Sequence, residues 1–257
     1  MRTVTWNTGC AYGGTYKKAN ARAWQQVAAW APDVALLQEV MRPPSWVPVS
    51  EVVFTPYDFS DQIGTAVWVP GAAPRPADLA LTWLPHLPPQ VTLAHVELAG
   101  GPWLLASIHA NTKELVANAL PGGLPADVGC STSGRLFPLN VILADLAAHT
   151  RGRRFVVGGD LNAALRFDAL YPPNSAYYGN AEWFSKAAAA GWHAVHPKFH
   201  AGEQRTLFRP GKDEAFQLDH LLCDDKTWDA ATACDVLHVP YLHELSDHAP
   251  LSLDLDG

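Results

Sequence analysis

Polar and apolar positions along this chain follow a few simple rhythms, and these mark out its elements. Residues 91–97, Val-Thr-Leu-Ala-His-Val-Glu, alternate, and so do Leu251, Leu253 and Leu255 with Ser252, Asp254 and Asp256, as strands with one buried face should. Segments 33–39, 154–158 and 217–223 are nearly continuous apolar runs, which suit strands buried on both faces. The β-branched Thr3, Val4 and Thr5 add a strand over 2–7, and further strands are predicted over 64–69, 79–83 and 103–109. Only Ala99-Gly100-Gly101-Pro102 separates the strands at 91–98 and 103–109, the spacing of a hairpin. Helical spacing takes over at Ala23, Val27 and Trp30 within 18–31, where Pro32 ends it, and again at Leu136, Leu139, Leu143, Leu146 and Ala147, where Pro138 fits only near the helix start. An Ala-rich helix is predicted over 181–190, with Asn180 as its cap.

No linker, charge block or repeat divides the 257 residues, and the Pro-rich stretches at 42–48, 69–76 and 85–89 are short enough to be loops, so the reading is one domain over 1–257. There is no apolar run of about 18 residues, and the first strand follows Met1 at once, so neither a membrane span nor a leader is expected and the chain reads as cytoplasmic. Cys10, Cys130, Cys223 and Cys234 lack zinc spacing and the density of a disulfide scaffold, and read as buried free thiols. The ten tryptophans read chiefly as core.

A net charge of −7 with 18 Lys plus Arg argues against a broad basic surface, so nucleic acid fits only as a weakly bound partner. The charge changes meaning once its placement is considered. Asn7, Glu39, His109, Asp160 with Asn162, Asp219, and Asp247 with His248 stand at or near the ends of six predicted strands. Singly, each has an ordinary reading as a turn former, a solvated charge or a core histidine. Together, apolar runs that end in acids, amides and imidazoles at one end of a sheet are where ligand and metal sites are built.

The motifs Trp6-Asn7, Gln38-Glu39, Ser107-Ile108-His109, Gly159-Asp160-Leu161-Asn162, Leu218-Asp219-His220 and Ser246-Asp247-His248 occur in this order, and in them the chain resembles the endonuclease/exonuclease/phosphatase superfamily, the fold of deoxyribonuclease I. The resemblance spans the whole chain. It implies an α/β, four-layered sandwich of two mainly antiparallel β-sheets packed face to face and flanked by helices, a phosphoester substrate, and Mg²⁺ (or Mn²⁺) as cofactor. It also implies Glu39 as principal metal ligand with Asn7 and Asp247 nearby or through water, and His109, Asp160, Asn162, Asp219 and His248 as the catalytic set. In that set Asp160 and Asn162 address the attacking water, Asp219 holds His248, and both histidines face the phosphate. Asp160 and His248 both remain open as proton acceptor.

The histidine at 109 replaces the tyrosine-containing segment usual in apurinic-site endonucleases, so that branch is disfavoured, and the acid expected to partner His109 has only Glu51, Asp58 and Asp61 as candidates. Arg135, Arg166, Arg205 and Arg209, in or beside irregular stretches, are the candidate substrate-binding cations. The functional expectation is a nuclease or other phosphodiesterase, with a phosphomonoesterase on a small or lipid-derived phosphate as the enzyme alternative. A catalytically silent binding module on the same fold is the alternative of another class, and the complete polar set argues against it.

Overall fold

The structure, a computed structural model, describes all residues except 11–19, 89, 116–119, 123–134, 174, 176, 209–215, 239–241 and 257. Twelve strands among them form two six-stranded sheets. The first contains β1 (Arg2–Asn7), β2 (Val34–Met41), β3 (Val52–Tyr57), β4 (Ser60–Trp68), β11 (Ala231–Val236) and β12 (Leu251–Leu255), in the order β11-β12-β1-β2-β4-β3. The second contains β5 (Arg75–Pro76), β6 (Val91–Leu98), β7 (Gly101–His109), β8 (Arg154–Asp160), β9 (His193–Ala194) and β10 (Asp219–Cys223), in the order β5-β6-β7-β8-β10-β9. Each sheet is antiparallel except for one central parallel pair, β1 with β2 and β7 with β8.

Strand periodicity builds the layers. On β7, Trp103 and Leu105 face the other sheet while Leu104, Ala106 and Ile108 face outward, and on β2 Val34 and Leu36 face inward while Ala35 and Leu37 face outward. The inward rows make the inter-sheet core with Val67, Val156, Leu221, Leu251 and Leu253. Outside the first sheet, Ala23, Trp24 and Val27 of α1 (Asn20–Ala29) cover Trp6, Leu37 and Trp68. Outside the second, Ile142 and Leu146 of α2 (Pro138–Thr150) and Trp183 and Ala187 of α4 (Asn180–Ala189) cover Leu104, Ile108 and Phe155. The shorter helices are α3 (Leu165–Leu170), α5 (His196–Phe199), α6 (Asp225–Ala230) and α7 (Leu242–Leu245). Two polar bridges cross the inter-sheet core: Gln38 Nε2 donates to Ser107 Oγ at 2.9 Å, and the hydroxyls of Thr65 and Thr92 meet at 2.7 Å.

Two local readings change, and several strands are added. Residues 79–83 form no strand: the carboxylate of Asp145 on α2 accepts the N–H groups of Thr82, Trp83 and Leu84 at 2.6 to 2.9 Å, which bends this stretch into a turn while Leu79 and Leu81 pack on the outer core. Asn180 is not the cap of α4, since Gly179 holds that place at φ 103°. The cap acceptor is Asp168 on α3, whose carboxylate takes the N–H groups of Gly179, Asn180 and Ala181. Four edge strands, β3, β5, β9 and β11, add to the predicted set. Cys10, Cys223 and Cys234 are buried free thiols, as read, and Cys130 lies outside the described residues. No helix among the described residues is long and apolar enough to cross a membrane.

Candidate active site

Most of the predicted polar residues reach one cleft by strand parity alone. His109 lies two and four residues beyond the inward Ser107 and Leu105, Asp160 four beyond the inward Val156, and Asp219 two before the inward Leu221. Register then sets them side by side: β7 pairs His109 with Asp160, and β10 pairs Asp219 with Asp160. Across the sandwich, β1 pairs Asn7 with Gln38.

Glu39 breaks the rule. Leu37 and Val40 both face the helix side and Gln38 faces the core, so plain alternation would turn Glu39 away from the cleft. Instead, Leu37 pairs with Ala66 and Val40 with Gly64, leaving β2 one residue longer than β4 at that point. Glu39 is the extra residue of this β-bulge, with φ at 48°. The bulge re-aims its carboxylate into the cleft at a backbone cost of order 1–3 kcal/mol, as is common where a side chain must serve a site.

A cleft of about 600 Å³ is lined by Glu39, His109, Asp160, Asn162, Asp247 and His248, with Tyr57, Asp58 and Phe59 on one wall. Asn7 Nδ2 donates to both carboxylates at the floor, Glu39 Oε1 at 3.2 Å and Asp160 Oδ2 at 3.0 Å, while Asn7 Oδ1 accepts Gly9 N–H. His109 Nε2 lies 3.4 Å from Glu39 Oε1 and 3.9 Å from Asp160 Oδ2. His248 Nε2 lies 3.7 Å from Asp160 Oδ2, and its Nδ1 is 2.8 Å from Asp219 Oδ2. Asn162, at φ 49°, gives its backbone N–H to Asp160 Oδ1 and its amide Nδ2 to Ala110 O.

Asp160 is thus held at one oxygen by Asn162, and its other oxygen lies within reach of both imidazoles. His248 is fixed from several sides: Trp6 Nε1 donates to its carbonyl at 2.8 Å, Ser246 Oγ accepts its N–H while donating to Asn7 O, and an isolated bridge ties it to Leu207.

The two histidines differ in charge. Burial pulls the His109 imidazole below its usual range, with Asp160 only partly opposing. Burial acts on His248 in the same sense, but Asp219, Asp160 and the hydrogen bond to Asp219 together outweigh it and hold His248 at about 10. Burial raises the Asp160 carboxyl above its usual range, with His248 the largest opposing influence.

Asp160, Asp219 and His248 are a group whose donor atoms lie within 4.8 Å of one another, but His248 Nδ1 and Asp219 Oδ2 are already engaged with each other. The carboxylates among the lining residues belong to Glu39, Asp58, Asp160 and Asp247.

The histidine partner named from sequence is corrected. His109 Nδ1 meets the phenol of Tyr57 at 2.8 Å. Of the three candidate acids, Glu51 instead accepts Trp68 Nε1 on β4, and the His109 Nδ1 position that Asp58 or Asp61 would take is held by the phenol. Nor do the described arginines line the cleft. Arg135 lies 3.8 Å from Glu114, Arg205 stacks on Phe208 and donates to Leu207 O, Arg166 is the second residue of α3, and Arg209 lies outside the described residues. Among the described lining residues there is no lysine or arginine.

Gly159 sets how closely β7 and β8 approach beneath the site. A Cβ there would stand 1.8 Å from Ile108 O, and its φ of 149° is one that other residues rarely adopt. Gly159→Ala is expected to lose more than about 1 kcal/mol, the scale at which an incompatible backbone outweighs the entropy gain. It should also part His109 from Asp160. Urea unfolding measures the first effect, and an unchanged midpoint would refute the close-approach argument.

The sequence profile of the Endonuclease/Exonuclease/phosphatase family matches residues 4–248. No curated protein matches the chain by sequence. Among solved structures, a 3'-5' exonuclease (NExo) from Neisseria meningitidis superposes with a TM-score of 0.67 at 19% identity over 100% of both chains. An AP endonuclease from Archaeoglobus fulgidus does so with 0.67 at 16% over 100% of both. The AP endonuclease LMAP from Leishmania major gives 0.62 at 15%, covering 98% of this chain and 86% of its own. Identities this low establish a shared fold, whereas the profile runs from β1 to the Ser-Asp-His step that carries His248, and on that ground the chain belongs to the Endonuclease/Exonuclease/phosphatase family.

Proposed function

We propose that this protein is a metal-dependent phosphoesterase that hydrolyses a phosphodiester by in-line attack of an activated water, as a nuclease or other phosphodiesterase. One observation carries the reading: two buried carboxylates, Glu39 and Asp160, share one amide donor between an imidazole kept neutral and an imidazole kept charged. A phosphodiester is anionic, so its hydrolysis depends on positioning the water and neutralising charge on the phosphate oxygens.

The residues suit a hard cation. Glu39, Asp58, Asp160 and Asp247 all line the cleft, whose described residues include no lysine or arginine, so an anionic substrate needs positive charge from elsewhere. Glu39 would hold Mg²⁺ or Mn²⁺ with Asp247, and Asn7, whose Oδ1 accepts the Gly9 N–H, would reach it through water. Bound there, the ion supplies Lewis-acid charge to the phosphate oxygens.

The chain's own groups divide the remaining work. Asp160, its carboxyl raised by burial and one oxygen fixed by Asn162, accepts a proton from the attacking water. His248 is already protonated, so it donates to the phosphate, and Asp219 keeps it in that state. Neutral His109 presents Nε2 as a second donor.

Hydrolysis of plasmid DNA, single-stranded DNA, RNA and small phosphoesters, with and without chelator, tests this reading. Activity on at least one phosphodiester is expected, lost on chelation and restored by Mg²⁺ or Mn²⁺. Full activity in metal-free protein would sink the metal role. On duplex DNA the slope of log affinity against log salt should be shallow, about −2 to −3, since each neutralised phosphate contributes about −0.9. Arg135, Arg166, Arg205 and Arg209 remain the candidates to supply those contacts.

A phosphomonoesterase on a small phosphate is the second reading, favoured by the same lack of cationic lining. It takes over if small phosphates are cleaved and no polynucleotide is.

A further inference from the structure

Tyr57 ends β3, is 6% exposed, and touches two parts of the site. Its phenolic oxygen accepts the backbone N–H of Glu39 at 3.2 Å and meets His109 Nδ1 at 2.8 Å. The first contact matters because a bulge takes its extra residue out of the ladder, so the N–H of Glu39 must find an acceptor elsewhere. The second matters because a ring nitrogen's partner decides which nitrogen carries the proton.

The other end of the ring settles that choice. His109 Nε2 faces Glu39 Oε1 at 3.4 Å and Asp160 Oδ2 at 3.9 Å, and carboxylate oxygens only accept. A neutral ring must therefore keep its proton on Nε2, which leaves Nδ1 as an acceptor and Tyr57 as its donor. A carboxylate in the place of Tyr57 would do the reverse, accepting a proton from Nδ1 and favouring the doubly protonated ring, as Asp219 does for His248.

We propose that Tyr57 is the positioning residue of this site, its phenol fixing His109 with the proton on Nε2 and anchoring the bulge that aims Glu39 into the cleft. The role in turnover rests on the phosphoesterase reading above, whereas the tautomer and the anchored bulge do not. His109 and His248 are thereby oriented by unlike partners, a phenol and a carboxylate.

Nitrogen NMR of the histidine rings, with His109 assigned from the resonances missing in His109→Gln, tests the tautomer directly at neutral pH. The parent should show His109 protonated on Nε2 and unprotonated at a hydrogen-bonded Nδ1. In Tyr57→Phe the Nδ1 signal should move to that of a free ring nitrogen, and the Glu39 amide should exchange with solvent at least tenfold faster. Turnover should fall about 10- to 100-fold, the usual cost of losing a group that orients a functional histidine. KM should stay within about twofold, since the phenolic oxygen is engaged by the Glu39 N–H and by His109 Nδ1 and phenylalanine keeps the ring on the cleft wall. A parent spectrum with His109 protonated on Nδ1, or on both nitrogens, overturns the proposal. So does a Tyr57→Phe spectrum and Glu39 exchange rate that match the parent. The parent spectrum decides the tautomer even if Tyr57→Phe does not fold. Failure of the chain to cleave any phosphoester would remove the turnover arm and the phosphoesterase reading together, and leave the spectral arm to decide.

Discussion

Asp160→Asn and Glu39→Gln are each expected to lower turnover by about 10² to 10⁴ while the folded chain persists, the range typical when a positioned proton acceptor or charge-stabilising group is removed. The two changes remove different things. Asparagine at 160 keeps an oxygen for Asn162 N–H but can take no proton from water, so the loss should fall on kcat. Glutamine at 39 keeps the shape over the bulge but removes the charge that suits a hard cation, so its activity should recover in part at high Mg²⁺ or Mn²⁺. Neither residue belongs to the apolar clusters, so melting temperatures should stay within about 5 °C of the parent, a shift of about 1 to 2 kcal/mol for a chain of this size. Circular dichroism with steady-state kinetics over a metal titration measures both. Asp160→Asn turning over within a few-fold of the parent would transfer the acceptor role elsewhere, and identical metal dependence in Glu39→Gln and the parent would remove Glu39 from the metal site.

The sequence exposes this cleft because most of its residues obey a single rule. An apolar run that alternates in and out carries its last inward position to the sheet end, and in β7, β8 and β10 that position, or the one starting the run, is His109, Asp160 or Asp219. Glu39 was visible as the end of an apolar run, but the reason it points inward was not, because a bulge depends on the pairing of β2 with β4 and leaves no mark in residue type when the extra residue is not glycine. Tyr57 was hidden for a related reason. Its strand contains Pro56 and follows a Pro-rich stretch, so 52–57 looks like loop, and the expected partner of a histidine is an acid. Asp145 and Asp168 each cap backbone that lies far along the chain, and no local pattern joins a carboxylate to N–H groups some 60 residues away or to a helix that begins 12 residues later. Short-range rules thus recover strands and strand ends, while contacts made by loops and bulges depend on the assembled sheets.

A histidine at this sheet end needs its far nitrogen satisfied inside the protein, and Tyr57 does that from the opposing sheet. His109 and Tyr57 therefore act as a pair, and losing the phenol alone would leave Nδ1 without its donor.

Asp219→Asn is expected to lower turnover at neutral pH about 10²- to 10⁴-fold and to reshape its pH dependence, because the side chain acts through the charge of His248. In the parent, burial would discharge His248, but Asp219 and Asp160 hold it protonated up to about 10, so it stays a donor throughout the neutral range and activity should fall only as pH rises through that value. With asparagine at 219 the largest opposing charge is gone, burial regains its hold, and the alkaline limb should move down by several pH units. The loss should therefore shrink as pH falls toward 5, where the imidazole takes up its proton without help. Stability follows the same sign. The imidazole of the unfolded chain has the ordinary value near 6.5, so the interaction with Asp219 stabilises the fold in full below about 6.5, and that stabilisation is lost as pH rises through about 10. Denaturant unfolding of parent and variant should accordingly converge toward alkaline pH and differ most in acid. Rate profiles of parent and variant from pH 5 to 10 that coincide after scaling would show that Asp219 does not set the charge of His248, and that His248 acts by some means other than a proton held in place by its neighbour.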